Sequence, residues 1–293
     1  MLIINGKILT MAGQDYDQGF VRISDGKIQA VGSMSDLGRH SSHDYDDILD
    51  VNGAWVMPGI IEAHCHIGIT EDKHGTIGDD CNEMTTPVTP QMRAIDAINP
   101  MDPAFHEAIM AGITSVMAGP GSANVVGGQF AFIKTHGRCI DRMIVKAPAA
   151  MKVAFGENPK VNYGDKDQMP GTRMAIAAML REEITRAIAY KKKKDDGSLD
   201  EINLGMEAWL AVLNHEIPMK AHVHQADDIL TAIRIAKEFD LRLTLDHCTE
   251  GHLIAEEIAE SGFPAIVGPD LTARSKIEVQ NMSFKTNRIL NDA

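Results

Sequence analysis

The sharpest chemical signal in the 293-residue chain is Pro58-Gly59-Ile60-Ile61-Glu62-Ala63-His64-Cys65-His66. In an extended strand, residues two apart point the same way, so His64 and His66 can offer two imidazole nitrogens to one point. That is a metal-binding geometry. Surface strands produce such a pair by chance, but here it closes an apolar run that follows a Pro-Gly turn. Two further histidines close later apolar runs: His224 in Met219-Lys220-Ala221-His222-Val223-His224, and His247 in Leu241-Arg242-Leu243-Thr244-Leu245-Asp246-His247. In a parallel barrel the C-terminal strand ends gather residues that are distant in sequence. Four histidines collected there suit zinc or a similar divalent ion.

The surrounding sequence must supply those strands. From Trp55 onward, apolar strand-like runs alternate with helical stretches, the pattern of βαβ units around a parallel sheet. Strands are expected at Ile60-Ile61, Ile113–Val116, Phe130–Ile133, Met143–Val145 running toward Val153–Phe155, Met219–Val223, Leu241–Leu245 and Ala265–Val267. Helices are expected near Pro103–Ala111, Met174–Tyr190, Glu207–Leu213, Ile229–Phe239, Leu253–Ser261 and Ile277–Leu290. Before them, short β-like runs are broken by Asn5-Gly6, Asp25-Gly26 and Gly32. Asn-Gly and Asp-Gly between apolar runs read as hairpin turns, because both central residues of a type I′ turn need positive φ. The expected organisation is a β module over residues 1–56 and a barrel over 57–293.

Composition narrows the partners. There are 28 Lys+Arg against 41 Asp+Glu, a formal charge of −13. Nucleic-acid binding draws on Lys and Arg that release counterions, so DNA, RNA and anionic membranes are not expected partners. No run is long and apolar enough for a bilayer, and Met1–Lys7 lacks the basic-then-apolar order of a signal peptide, which makes the cytoplasm the expected compartment. Cys65, Cys81, Cys139 and Cys248 are too far apart for a disulfide framework or a thiolate zinc finger.

With these motifs in hand, the sequence resembles the amidohydrolase superfamily, in its imidazolonepropionase-related branch. The lead-in Asp50–Gly59, the first-strand histidine pair, and the fifth- and sixth-strand histidines carry the resemblance. It implies an α/β fold, a (β/α)8 TIM-like barrel with a small N-terminal β-sandwich module. His64 and His66 become first-strand metal ligands and His247 the sixth-strand ligand. The family's fifth-strand pattern, H-x-x-E/D, falls on His224-Gln225-Ala226-Asp227, so His224 is preferred over His222, and Asp227 becomes a catalytic candidate for substrate or proton handling. The alternative for Asp227 is simply to begin the next helix near its positive end. A fourth-strand ligand is expected from Glu157 or, as a carboxylated lysine bridging two metals, Lys152. Glu157 is preferred because it is already anionic.

The implied activity is metal-dependent cleavage of a C–N bond, amide or cyclic amide, in a small-molecule substrate, with zinc as one or two ions. An aminohydrolase (deaminase) and a catalytically inactive metal-binding scaffold remain as alternatives. The glycine-rich stretch Gly119–Gln129 could bring backbone N–H groups to a ligand, with Gly127, Gly128 and Gln129 as substrate-binding candidates. A tight turn without a ligand is the competing reading. His40 and His43, in a polar loop of the β module, are expected to be solvent exposed, and His74 lies on the loop after the first strand, from which it could face the site; His136, His215 and His252 lack convincing strand-end spacing. The family's eighth strand and its aspartate are not found before Ala293, so the C-terminal end of the barrel is expected to be missing. Either a longer protein or another chain, as in a homo-oligomer, would cover the exposed edge.

Overall fold

A computed structural model describes residues 1–38, 47–72 and 75–293; His40, His43 and His74 lie outside them. The chain divides into two compact units, Met1–Ile60 and Ile61–Ala293.

The first unit contains β1 (Leu2–Ile8), β2 (Tyr16–Ser24), β3 (Lys27–Ser33), the short helix α1 (Met34–Leu37), β4 (Ile48–Asp50) and β5 (Trp55–Val56). β1 pairs antiparallel with β2 and parallel with β4 and β5, while β2 pairs antiparallel with β3, giving one five-stranded sheet. Asp25-Gly26 is the expected hairpin turn, with φ of 51° and 70° between paired Ser24 and Lys27. Asn5-Gly6 is not a turn. It lies inside β1, where Asn5 takes φ 58° and the pairing with β2 shifts register between Ile3 and Gly6. A bulge meets the same demand for positive φ that a turn does, so the dipeptide alone could not separate the two.

The second unit follows in chain order: β6 (Ile60–Cys65), α2 (Pro103–Met110), β7 (Ile113–Ala118), β8 (Val126–Lys134), α3 (Ile140–Met143), β9 (Ile144–Ala154), α4 (Glu157–Gly164), α5 (Arg173–Asp195), α6 (Leu204–Leu213), β10 (Met219–Val223), α7 (Ala226–Glu238), β11 (Leu243–His247), α8 (Ala255–Ser261), β12 (Ala265–Val267) and α9 (Thr286–Asp292). Its seven strands form one sheet in the order β12-β11-β10-β9-β8-β7-β6. In a flat sheet β6 and β11 would stand roughly 24 Å apart at the usual spacing of neighbouring strands. The rings of His64 on β6 and His247 on β11 are instead 4.9 Å apart. The sheet therefore curls into a nearly closed, barrel-like cylinder, and the α/β class expected from the sequence holds.

Two expectations need correction. β8 runs antiparallel to both β7 and β9, so the sheet is not wholly parallel. The physical reason lies in the connection: only residues 119–125 join β7 to β8, whereas a parallel crossover takes about a dozen residues or more. Ile277–Leu290 is not one helix either; a 3-10 turn at Ile277–Val279 is followed by α9 from Thr286. There the side chain and backbone of Glu278 bond to Glu157, 121 residues away in sequence, a contact that competes with continuing the helix.

The main core lies on the outer side of β9–β11. Met151, Val153, Ala221, Val223 and Leu245 pack with Leu180 and Ile184 of α5, Trp209 of α6, and Ile229 and Ala236 of α7. α5 begins at Thr172, whose hydroxyl accepts from the Ala175 N–H, and α6 begins at Asn203, which caps the Met206 N–H. Among the described residues no helix is long and apolar enough to cross a membrane.

Candidate metal centre

Alternation along the strands builds the site. Met219, Ala221 and Val223 of β10 join the outer core, which leaves Lys220 and His222 on the inner face. On β9, Met151 and Val153 point outward and Lys152 inward; on β11, Leu243 and Leu245 point outward and Asp246 inward. Register then aligns the inner residues across strands: Lys152 beside Lys220, and His222 beside Asp246. Phe130 of β8 covers this layer, its ring centre 5.5 Å from Lys152 Nζ and 5.7 Å from Lys220 Nζ.

His247 departs from the alternation. Strict period two would send it outward with Leu243 and Leu245. The chain leaves β11 with φ of 77° at His247 and 45° at Cys248, a conformation rarely adopted by side-chain-bearing residues. The His247 ring consequently lies 4.6 Å from that of His222 and 4.8 Å from that of His224. Ligand atoms of His222, His224 and His247 all fall within 4.8 Å of one another. His64 adjoins the group through His247, and the His66 ring stands 5.3 Å from that of His64.

Hydrogen bonds fix how these rings face. Nδ1 of His66 bonds the Gly119 carbonyl at 2.7 Å, and Nδ1 of His247 bonds the Gly268 carbonyl at 2.8 Å. A carbonyl only accepts, so both Nδ1 atoms must carry the proton and both Nε2 atoms keep a lone pair. His64 Nδ1 lies 2.5 Å from Asp246 Oδ2, with the same consequence. His224 Nδ1 contacts the Thr249 hydroxyl at 2.6 Å. Burial pushes His64 and His224 down to about 4, with nearby lysine charge adding to the effect. Burial and Lys152 push His247 down to about 2, and burial beside His247 and His224 holds His222 well below the usual histidine range. All four imidazoles are thus neutral bases at physiological pH.

The charged groups divide by role. Lys152 is fully buried, its Nζ 3.4 Å from His64 Nε2, and burial pushes its ammonium down to about 8. Asp246 is also fully buried, with Lys220 Nζ at 2.9 Å. Burial disfavours the Asp246 carboxylate, but the His64 hydrogen bond and the Lys220 charge outweigh it and hold the group at about 2. Among the described residues the bonds of Glu157 go to Glu278 rather than to the histidines; its Oε2 accepts the Glu278 N–H at 3.3 Å. Asp227 is on the surface, its side chain 66% exposed and 3.6 Å from Arg173 Nε, so the structure does not bring it to the group.

Gly127, Gly128 and Gln129 belong to β8 rather than to a loop. Gly128 has φ 123°, and a Cβ there would lie 2.5 Å from the Met92 carbonyl oxygen. The Gln129 N–H bonds that same carbonyl at 2.8 Å, and its side-chain amide donates to Pro90 at 3.1 Å. Segment 88–93 packs closely on β8 at Gly128 and Gln129, whereas a Cβ at Gly127 would lie 3.3 Å from Lys152 Cγ.

Lys220, His222, Asp246, Thr249 and Glu278 are not among the residues that the sequence pattern selects, His222 standing behind His224 there. For the first three the signal was present: β10 and β11 alternate small or apolar residues with Lys220, His222 and Asp246, and polar residues at every second position of a buried strand must face something polar. For Glu278 nothing local distinguished it from an exposed helical glutamate.

No protein-family model matches the chain. It is 31% identical over 235 residues to the amidohydrolase tasK of Hapsidospora irregularis, covering 71% of this chain but 24% of that protein, so it spans about a quarter of that relative's length. It is 24% identical over 302 residues to imidazolonepropionase of Colwellia psychrerythraea, across 93% of this chain and 68% of that one. Among solved structures, an amidohydrolase from Thermotoga maritima superposes with a TM-score of 0.93 and 42% identity, covering 99% of this chain and 76% of that one. With that agreement along almost every residue, and with the strand-end histidines gathered at one end of a curled sheet, the chain belongs to the amidohydrolase superfamily.

Proposed function

We propose that this protein hydrolyses a C–N bond, amide or cyclic amide, in a small substrate, with a divalent metal, most simply zinc, held by the strand-end histidines. The observation that carries this reading is the orientation of the rings. His64, His66, His224 and His247 each have Nδ1 engaged by a carboxylate, a carbonyl or a hydroxyl. Such outer partners are what orient metal-binding imidazoles and fix their tautomers. The donor set therefore fits a divalent ion: neutral nitrogen bases, buried, and already turned by their own hydrogen bonds.

His64, His66, His224 and His247 would hold the metal, joined by His222. For the β9 ligand we favour Lys152, as a carboxylated lysine, over Glu157, because Lys152 Nζ adjoins His64 whereas Glu157 is tied to the Glu278 backbone. When bound, a divalent ion supplies Lewis-acid activation of water and of the carbonyl to be attacked. The chain supplies the rest. Asp246 holds the His64 ring by Nδ1 and offsets the Lys220 charge in the same contact network. Phe130 and the buried strand faces keep bulk water from beneath the site, which strengthens every charge interaction within it.

The test is elemental analysis of the purified chain against a His64→Ala/His66→Ala double variant, followed by a screen of linear and cyclic amides. About one or two equivalents of metal, lost in the variant together with turnover, are expected. A folded, unmodified chain that takes up no metal overturns the proposal.

A further inference from the structure

Glu278, on a turn that follows β12 in the chain, brings a buried carboxylate to the histidines. It is 1% exposed and lies on the 3-10 turn Ile277–Val279. Its Oε2 accepts the Glu157 N–H at 2.9 Å, while its own N–H donates to Glu157 Oε2 at 3.3 Å. This reciprocal pair clamps the side chain through Oε2. Among the described residues Oε1 has no hydrogen-bond partner, yet it is 3.8 Å from His222 Nε2 and 3.8 Å from His224 Nε2. A buried carboxylate oxygen without a hydrogen bond is costly, and a native site that keeps one has a use for it.

We infer that Glu278, through Oε1, is a metal ligand that shares a divalent cation with His222 and His224. The inference rests on the metal-dependent reading above and adds to it a ligand outside the histidine strands. The spacing is that of an ion site rather than of direct hydrogen bonds, which close to about 2.7–3.2 Å. Donors about 2.0–2.2 Å from a tetrahedral ion stand roughly 3.3–3.5 Å apart, so an ion needs only a small contraction of this cluster. Charge points the same way. Imidazoles contribute none, and Asp246 is already engaged by His64 and Lys220. Glu278 then supplies anionic charge for a doubly charged ion held among neutral imidazoles. Lys276, whose Nζ is 3.9 Å from Oε1, has a side chain 44% exposed and can carry its ammonium into solvent when a cation enters.

The experiment compares the full chain with Glu278→Gln and Glu278→Asp. Zinc affinity is measured by competition with a chromophoric chelator, and the absorption spectrum of the cobalt-loaded protein reports ligand identity. Glu278→Gln is expected to bind zinc more weakly by at least about 100-fold, beyond what loss of an outer partner costs, and to change the cobalt spectrum. Glu278→Asp, which keeps the charge, should fall between the two. Unchanged affinity and an unchanged cobalt spectrum in a folded Glu278→Gln overturn this inference and leave the metal-dependent function standing. An unmodified chain that binds neither ion overturns both. If Glu278→Gln does not fold, the cobalt spectrum of Glu278→Asp decides: a changed spectrum supports ligation, and one identical to the unmodified protein's rejects it.

Discussion

The two faces of β9, β10 and β11 are built from alternate residues of the same short strands, yet their chemistry is opposite. Outward, Val153, Ala221, Val223 and Leu245 are fully buried among helices and contribute through apolar area and close packing. Inward, Lys152, Lys220, His222 and Asp246 are just as buried but carry charge or lone pairs. Burial alone therefore says nothing about what a strand residue does. An outer residue stabilises by excluding water from itself and its neighbours, and its loss leaves a cavity. An inner residue stabilises only while its partners remain, because each is a desolvated polar group whose isolation is costly. The faces should thus differ in how substitutions act and in how stability answers to pH.

The largest effect is expected on the inner face. Asp246→Ala strands Lys220 and His64 without their anion and should cost about 3–5 kcal/mol, the usual penalty for breaking a buried ion pair from one side. Urea denaturation measures it, and a loss below about 1 kcal/mol would mean that water or rearrangement compensates. On the outer face, Leu245→Ala should cost about 2–5 kcal/mol through lost transfer energy and a cavity. That loss should be the same at pH 5 as at pH 7.5, since no charge is involved.

Acid separates the faces next. His64 titrates near 4 in the native state against 6.5 for an ordinary histidine. In the metal-free chain the unfolded state therefore takes up its proton first, and stability present above pH 6.5 is lost as pH falls toward 4, at about 1.4 kcal/mol per pH unit for each such histidine. Asp246, held near 2 against 3.8, adds a further loss on the order of 2 kcal/mol as pH falls from about 4 to 2. Urea midpoints of chelator-treated protein that stay level from pH 7 to 4.5 would contradict this account of the inner face.

The smallest expected change in stability is the most selective. Thr249→Val keeps the shape of a residue 8% exposed but removes the hydroxyl that contacts His224 Nδ1. Stability should drop by only about 1 kcal/mol, while zinc affinity falls roughly 10–100-fold as the ring loses its orienting partner. Equal zinc affinity in the variant would show that packing alone orients His224.

Much of the fold was written locally. Strand positions for β6, β7, β10, β11 and β12, and helices over most of α2, α5, α6, α7 and α8, follow from apolar runs and period, which depend on neighbours a few residues away. The antiparallel β8 was legible too, in the shortness of residues 119–125, but the composition of that stretch drew attention to its glycines instead. The site was legible in part. His64, His66, His224 and His247 stood out by their strand-end positions, and the structure gathers them with His222. Asp227 and Glu157 were selected by sequence pattern, and three-dimensional contacts direct them to Arg173 and to the Glu278 backbone.

What the sequence determined by itself, then, is which residues lie on strands and which histidines end them, because alternation and turn chemistry are properties of a few consecutive residues. Which polar groups meet is settled only when the chain has folded. The positive φ that turns His247 inward, the pairing of Asp246 with a histidine 182 residues away, and the delivery of Glu278 from a distant turn all depend on how the sheet curls. The free energy of a buried charge is set by the partners that surround it, and those partners are adjacent only in the folded chain.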